Sequence, residues 1–431
     1  MHEVIRACRS CGTGGLEPIL SLGETPLADA LVHPDQLDQP EASYPLEVAF
    51  CAACSLVQLK QTVSPETLFT QDYPYYSSFS DALIEHSRRN AERLITDEGL
   101  DKRSLVVELA SNDGYLLRHF ADQGVPVLGI DPAAGPARVA QEAGIPTLCA
   151  FFDRELAACL VAEGKRADVV LANNVLAHVP DLNGFVAGIG VLLAERGVAV
   201  IEAPYVRDLI DRCEFDTIYH EHLCYFSVTA LERLFARHGL VLSRVEHYPL
   251  HGGSLRLYVR PGGEPDETVR RYLGEEAERG LDTAGYYRDF AARVEQVKHD
   301  LLELLGKLKA SGARIAAYGA AAKGATLLNY VGIGPETIDY VVDRNVHKQG
   351  RFMPGVRLPI ADPARLVADQ PDYVLLLAWN FAEEILAQQE AYQRAGGRFV
   401  VPVPEPAVLE RLPRPGEPTG SPGVSGSPSY P

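Results

Sequence analysis

The sequence predicts an α/β protein: a doubly wound, mostly parallel sheet at its centre, a zinc-binding domain before it and a second, Rossmann-like α/β domain after it. Three observations predict this. Strand-like and helical segments alternate twice, between residues 104 and 205 and again between 314 and 403, at the spacing of parallel sheets covered on both faces. Two C-x-x-C pairs, Cys8/Cys11 and Cys51/Cys54, precede the first run. The chain has 431 residues, which at roughly 100–200 residues per domain leaves room for about three. The apolar fraction is 46%, the charged fraction 23% and the mean hydropathy −0.05, values of an ordinary globular chain. No apolar stretch approaches the roughly 20 residues of a spanning helix, so no membrane partner is expected. The first twelve residues lack a charged-then-apolar signal pattern, which makes the cytoplasm the expected address. Forty basic against 58 acidic side chains leave −18 at pH 7, and such a chain repels polyanions. Nucleic acid is therefore not an expected partner.

Taken in order, residues 1–75 form the expected zinc domain. Two C-x-x-C pairs can place Cys8, Cys11, Cys51 and Cys54 around one zinc ion, with the stretch Leu22 to Ser43 as an inserted loop. Four thiolates leave no position for water or substrate, so this zinc is structural. Residues 76–270 form the central domain. A helix over Asp81–Glu98 leads into strands at Ser104–Leu109, Val125–Ile130, Ala167–Leu171 and Gly197–Glu202. Helices are expected between them at Tyr115–Asp122, Pro136–Glu142, Arg154–Glu163 and Leu182–Leu193. Residues 271–412 open with a long helix near Asp282–Ala310. A second strand and helix run follows: Arg314–Tyr318, Lys323–Tyr330, Asp339–Val342, Tyr373–Leu377, Ala382–Gln393 and Phe399–Val403. In the tail, 413–431, fourteen of nineteen residues are Pro, Gly or Ser, a composition that cannot bury enough apolar surface to order itself.

Ligands of open parallel sheets bind at the carboxyl ends of the strands. After the first central strand comes Glu108-Leu109-Ala110-Ser111-Asn112-Asp113-Gly114. Small residues there let a ligand approach the backbone, and Glu108 can take a cation. The dinucleotide fingerprint G-x-G-x-x-G is absent, which argues against NAD, and what remains is similar to the first motif of class I S-adenosylmethionine methyltransferases. Asp131 ends the second strand, where a carboxylate either accepts both ribose hydroxyls or merely caps the next helix. Phe152 offers a face to adenine or packs in the core. Asn173 and the following residues to His178 close the fourth strand and put polar groups beside the sulfonium. Further on, Tyr219-His220-Glu221-His222 collects ionisable groups after a strand. H-x-H lacks the i, i+4 geometry of hydrolytic zinc sites. A general base needs a His near pKa 7 with an orienting neighbour, and both are present.

Seven segments in this order complete a recognisable set: the spaced cysteine pairs, Asp72 to Ser78, ELASNDG, NNVLAHVPD, YHEHLCYFS, His251 to Arg256, and Ala317 to Gly324. Together, over about residues 5 to 410, they resemble the S-adenosylmethionine-dependent C-methyltransferases that place a branching methyl on dTDP-linked deoxy-keto sugars. The resemblance implies a class I methyltransferase domain, S-adenosylmethionine and structural zinc as cofactors, and a dTDP-linked keto-deoxysugar as partner. In such enzymes a base removes a proton beside the ketone and the enolate attacks the methyl. His222 matches the base, Tyr219 and Glu221 place it, and His178 lies near the keto oxygen. Tyr219 as the proton acceptor is the alternative. Ala110, Asn112 and Gly114 join Glu108, Asp131, Phe152 and Asn173 as cofactor-binding residues. Tyr76, Ser78, His251, Arg256, Lys323, Asp343 and Arg351 are the expected substrate-binding set, with Lys323 and Lys348 available to a pyrophosphate. Against this, Lys323 could be a solvated helix charge. C-3 is the expected methylated carbon and C-5 the alternative. A monomer is expected. Two competing readings are a methyltransferase for RNA or protein and a non-catalytic sensor of S-adenosylmethionine or sugar nucleotide.

Overall fold

The computed structural model describes residues 2–68, 76–249 and 252–409. His251, the segment 69–75 and the tail expected at 413–431 lie outside the described residues.

The central sheet has seven strands, and its first strand, Val106–Leu109, is buried at every position. Val127–Ile130 and Thr147–Leu148 add in parallel on one side. On the other side Ala167–Asn173 and Leu193–Pro204 continue in parallel, followed by the antiparallel pair Ser254–Arg260 and Val241–Tyr248. The chain thus leaves the first strand in both directions, and a crevice opens where strand order reverses. The periodic readings locate four of the five parallel strands to within a few residues and miss the edge strand Thr147–Leu148. The antiparallel pair and the helix Val228–Arg237 have no counterpart in them. Helix starts follow side-chain chemistry: Ser80, Asp153, Asp181 and Ser227 each accept a backbone N–H of the first turn, satisfying donors that a helix cannot pair itself.

A second sheet, of six strands, repeats the device. Ile315–Tyr318 lies between Val341–Val342 on one side and Tyr373–Leu376 on the other, all parallel. Ile360–Ala361 and Arg398–Val401 flank them, and Ala407–Val408 closes the edge antiparallel. Gly319 follows the first of these strands with φ +98°, and a Cβ there would lie 2.6 Å from Cβ of Ala378. Only glycine makes that turn. Two expected helices are interrupted: the long one begins at Phe290, after a short 3-10 turn, and Ala382–Gln393 breaks at Gln389.

The N-terminal region is a sheet in which Glu17–Pro26, Ser43–Phe50 and Val57–Leu59 pair antiparallel. Its fourth strand, Cys224–Tyr225, comes from the central region and pairs with Val57–Leu59. The expected inserted loop reaches the C-terminal region, where Glu41 accepts from Arg357 Nε at 2.9 Å and from the Gly355 amide at 2.7 Å. The buried apolar residues form three clusters, of which the largest draws residues from Cys8 to Val403. No helix among the described residues is long and apolar enough to cross a membrane.

Candidate functional site

The four cysteines converge. Their sulfurs lie within 4.8 Å of one another, with Cys8 Sγ 3.5 Å from Cys54 Sγ and Cys11 Sγ 3.6 Å from Cys51 Sγ. A tetrahedron with Zn–S near 2.3 Å has edges of about 3.8 Å, so the donor set fits a closed structural zinc. Gln58 Nε2 donates to Cys8 Sγ at 3.1 Å, and its carbonyl accepts from the Arg9 amide, the outer-shell support such ligands need. Among the described residues the other cluster with metal-binding composition is His299, Asp300 and Glu303, fully exposed. His220 and His222 form no such cluster.

A cavity of about 470 Å³ opens at the carboxyl ends of both parallel sheets. On its central-domain wall, the loop after the first strand holds Ala110, Asn112 and Gly114 at φ +55°, +49° and +76°. The left-handed conformation that glycine favours thus recurs at every second position, although two of the three residues are not glycine. Ala110, Asn112, Asp131, Phe152 and Asn173 all line the cavity. Asp131 accepts the amides of Asn112 and Ala133, each at 2.8 Å. It therefore caps its own loop as well as facing the cavity. Burial pushes its carboxyl up to about 6, against the pull of those amides. Phe152 packs edge-on against Phe185, so it serves core and cavity together. Glu108 and Gly114 lie behind the wall, not on it. Both Glu108 carboxylate oxygens are buried without a partner among the described residues, and burial raises its pKa well above the usual range. An unpaired buried acid behind a wall that carries the Asp131 carboxylate fits a ligand with both an ammonium group and hydroxyls.

Tyr219, Glu221, His222 and His178 share the same cavity. The tetrad follows a 3-10 turn, Phe215–Thr217, and precedes the strand Cys224–Tyr225; the expectation that it follows a strand is corrected. His222 Nδ1 lies 2.7 Å from the Thr217 carbonyl, and Nε2 lies 2.8 Å from the Tyr219 hydroxyl. A carbonyl can only accept, so Nδ1 carries a proton, and whenever the imidazole is neutral its bare Nε2 accepts from the Tyr219 O–H. His178 stands edge-on to His222 with centroids 4.8 Å apart. Burial lowers its pKa to about 4, so it is neutral at pH 7. The loop is held from two sides: the Leu223 amide donates to the Ala177 carbonyl, and the Leu59 amide to the Leu223 carbonyl.

The expected substrate residues divide. Tyr76, Lys323 and Asp343 line the cavity. Tyr76 stacks on His347 of the C-terminal region, centroids 4.8 Å apart. Asp343 accepts from the amides of Ala320 and Asn345. Lys323 is no solvated helix charge: its Nζ donates to Asn380 Oδ1 at 2.8 Å and lies 4.6 Å from the Trp379 ring centroid. Burial lowers its pKa, with Asp216 and Glu214 as its charged neighbours. Lys348, also at the cavity, donates to the Ala320 carbonyl. Ser78 is exposed, and neither it nor Arg351 is part of the lining. Arg256 is not part of the lining either: it is buried in an ion pair with Glu202, 2.6 Å, and stacks on Tyr248, beside a separate pocket. A strand position opposite a buried acid claims it, which sequence spacing does not reveal. Sequence reasoning also passed over Thr217, whose contribution is a backbone carbonyl, and Trp379, although it is the single tryptophan of the chain.

Residues 8–69 match a zinc-binding domain family, residues 83–245 a methyltransferase domain family, and residues 249–404 the C-methyltransferase C-terminal domain family. The C-methyltransferase NovU of Streptomyces niveus is 37% identical over 415 residues, covering 95% of this chain and 99% of NovU. A ubiquinone biosynthesis O-methyltransferase of Azorhizobium caulinodans is 30% identical over 125 residues, 28% of this chain and 47% of that one. The solved structure of magnesium protoporphyrin IX methyltransferase from Synechocystis PCC 6803 with bound S-adenosylmethionine is 16% identical, with a TM-score of 0.32 over 41% of this chain and 79% of that one. Likeness to NovU runs through all three matched regions, and the chain belongs to the S-adenosylmethionine-dependent C-methyltransferase family.

Proposed function

We propose that the chain methylates a carbon of a dTDP-linked 4-keto deoxysugar, C-3 first and C-5 as the alternative, in deoxysugar biosynthesis for antibiotics or other glycosides. The observation that carries this reading is the hydrogen-bonded Tyr219–His222 pair, set in a cavity that reaches the switch points of two parallel sheets. When bound, S-adenosylmethionine supplies an electrophilic methyl group. Ala110, Asn112, Asp131, Phe152 and Asn173 would hold it, with the buried Glu108 behind them. A C–H beside a ketone is a weak acid, so its removal needs both a base and a donor for the oxygen that gains charge. The Tyr219 oxygen takes the proton while passing its own to His222 Nε2, and the Thr217 carbonyl keeps the imidazole turned to receive it. His178, neutral and adjacent, faces the keto oxygen. Glu221 braces the loop. Tyr76, Lys323 and Asp343 hold the sugar nucleotide between the two sheets. The reading includes a monomer working in the cytoplasm.

Solvent exchange tests it. With S-adenosylhomocysteine and a dTDP-4-keto sugar in heavy water, the wild type should wash deuterium into the carbon beside the ketone without turnover. Tyr219→Phe and His222→Asn should each slow this by about a hundredfold or more while calorimetric S-adenosylmethionine affinity stays intact. Wild-type exchange in both variants removes the pair from the reaction. Failure of every dTDP-4-keto sugar to bind removes the substrate class.

A further inference from the structure

The Tyr219–His222 pair is tied to the C-terminal region, to which the proposed chemistry gives substrate binding alone. Thr217, whose carbonyl fixes the His222 tautomer, is the last residue of the turn Phe215–Thr217. Its neighbour Asp216 is fully buried. Asp216 Oδ2 accepts the indole N–H of Trp379 at 2.7 Å, and Trp379 begins the short 3-10 turn after strand Tyr373–Leu376 of the C-terminal sheet. The indole is gripped in turn. Lys323 Nζ sits over its ring, and the same ammonium donates to Asn380, the next residue. Lys323 belongs to the helix Ala322–Val331, which packs directly on the Phe215–Thr217 turn. The carboxyl also feels the Lys323 charge and the amides of Asp216 and Thr217, and the indole N–H is the side-chain hydrogen bond that ties it to the C-terminal region. A one-residue step along the backbone then separates the C-terminal sheet from the carbonyl that holds the imidazole.

We infer that Trp379 and Asp216 are positioning residues: their hydrogen bond lets the C-terminal region set the orientation and tautomer of His222. The inference deepens the proposed function and rests on its reading of the Tyr219–His222 pair for any consequence in rate, though not for the imidazole geometry. The C-terminal sheet then does more than hold half of the substrate; it completes the base. Lys323 and Asn380 line the cavity beside the latch, so a ligand seated against the C-terminal sheet meets the same ammonium that grips the indole.

The test uses the full zinc-loaded chain. Trp379→Phe keeps the aromatic surface under Lys323 and deletes only the donor. With 15N-labelled histidine, and His222→Asn to assign the signal among twelve histidines, wild-type His222 should show one tautomer, protonated on Nδ1 and bare on Nε2. Trp379→Phe should show a mixed or broadened pattern and a kcat lower by about 10- to 100-fold, the size a small misplacement of a catalytic group produces, with KM for the sugar nucleotide changed less than threefold. Asp216→Ala should reproduce the loss, and Asp216→Asn, which keeps a carbonyl acceptor, should lose less. One equivalent of zinc and unchanged S-adenosylmethionine affinity in each variant establish that it is folded. An unaltered His222 spectrum in folded Trp379→Phe overturns the inference. An altered spectrum with unaltered kcat supports the latch and instead removes the pair from the proposed chemistry.

Discussion

Side chains at the cavity wall carry conflicts that single substitutions can expose. Ala110 holds a left-handed conformation at φ +55°, which costs a non-glycine residue roughly 1–2 kcal/mol. Glycine removes that strain but gains about 0.4–1 kcal/mol of freedom in the unfolded chain. Ala110→Gly should therefore stabilise by up to about 1 kcal/mol, read as a higher urea midpoint; a lower midpoint would show that the methyl packs productively. Asp131→Ala should weaken S-adenosylmethionine binding by about 1–2 kcal/mol, the loss of charge-assisted hydrogen bonds, as measured by titration calorimetry. Unchanged affinity would leave Asp131 as a cap alone. Burial raises the Glu214 carboxyl to about 8, partly opposed by Lys323 and Arg212. Between about pH 4.5, where the unfolded carboxyl titrates, and about pH 8, the folded chain holds a proton that the unfolded chain releases. Stability from this group is thus full below that window and falls as pH rises through it. Glu214→Gln cannot titrate, so its melting temperature should gain on the wild type from pH 5 to pH 8. Parallel pH profiles would refute that assignment.

Among elements, the short strand Val57–Leu59 links the cysteine cluster to the loop that holds Tyr219 and His222. It follows the Cys51/Cys54 knuckle within three residues and pairs with Cys224–Tyr225, directly after the tetrad. Gln58 is shared: its side chain reaches Cys8, and its backbone pairs with Cys224. Zinc removal should therefore damage the catalytic loop as well as the N-terminal sheet. We expect Cys51→Ser to bind less than one equivalent of zinc, to melt on the order of 5 °C lower given the several kcal/mol a closed site contributes, and to lose exchange activity in parallel. Full activity in metal-free protein would detach this strand from the site.

The largest of three apolar clusters draws residues from Cys8 to Val403 and so joins all three regions, with the N-terminal loop gripping the C-terminal region through Glu41 and Arg357. Regions joined in this way should melt together. Calorimetry should show one main transition that S-adenosylmethionine raises as a unit, by about 2.7 kcal/mol of added stability at a hundredfold excess over Kd. A separate low-temperature transition that ignores the ligand would show the C-terminal sheet to be independent.

What the sequence determined by itself is whatever depends on short separations along the chain. Runs of Val, Leu and Ile mark the parallel strands because a strand buried on both faces needs an apolar side chain at nearly every position. The cysteine pairs mark zinc because two knuckles supply four thiolates whatever lies between them. The tetrad Tyr219 to His222 announces its chemistry because four neighbouring residues cannot be far apart. What only the tertiary structure decided depends on which distant residues meet. Arg256 faces Glu202 across a strand pair instead of a substrate, Lys323 leans on Trp379, and Thr217 acts through its backbone, which no side-chain pattern records. Sequence periodicity encodes which face of an element is buried, whereas the partner on that face is chosen when the sheets pack, and at this site that choice decides which side chains share the cavity.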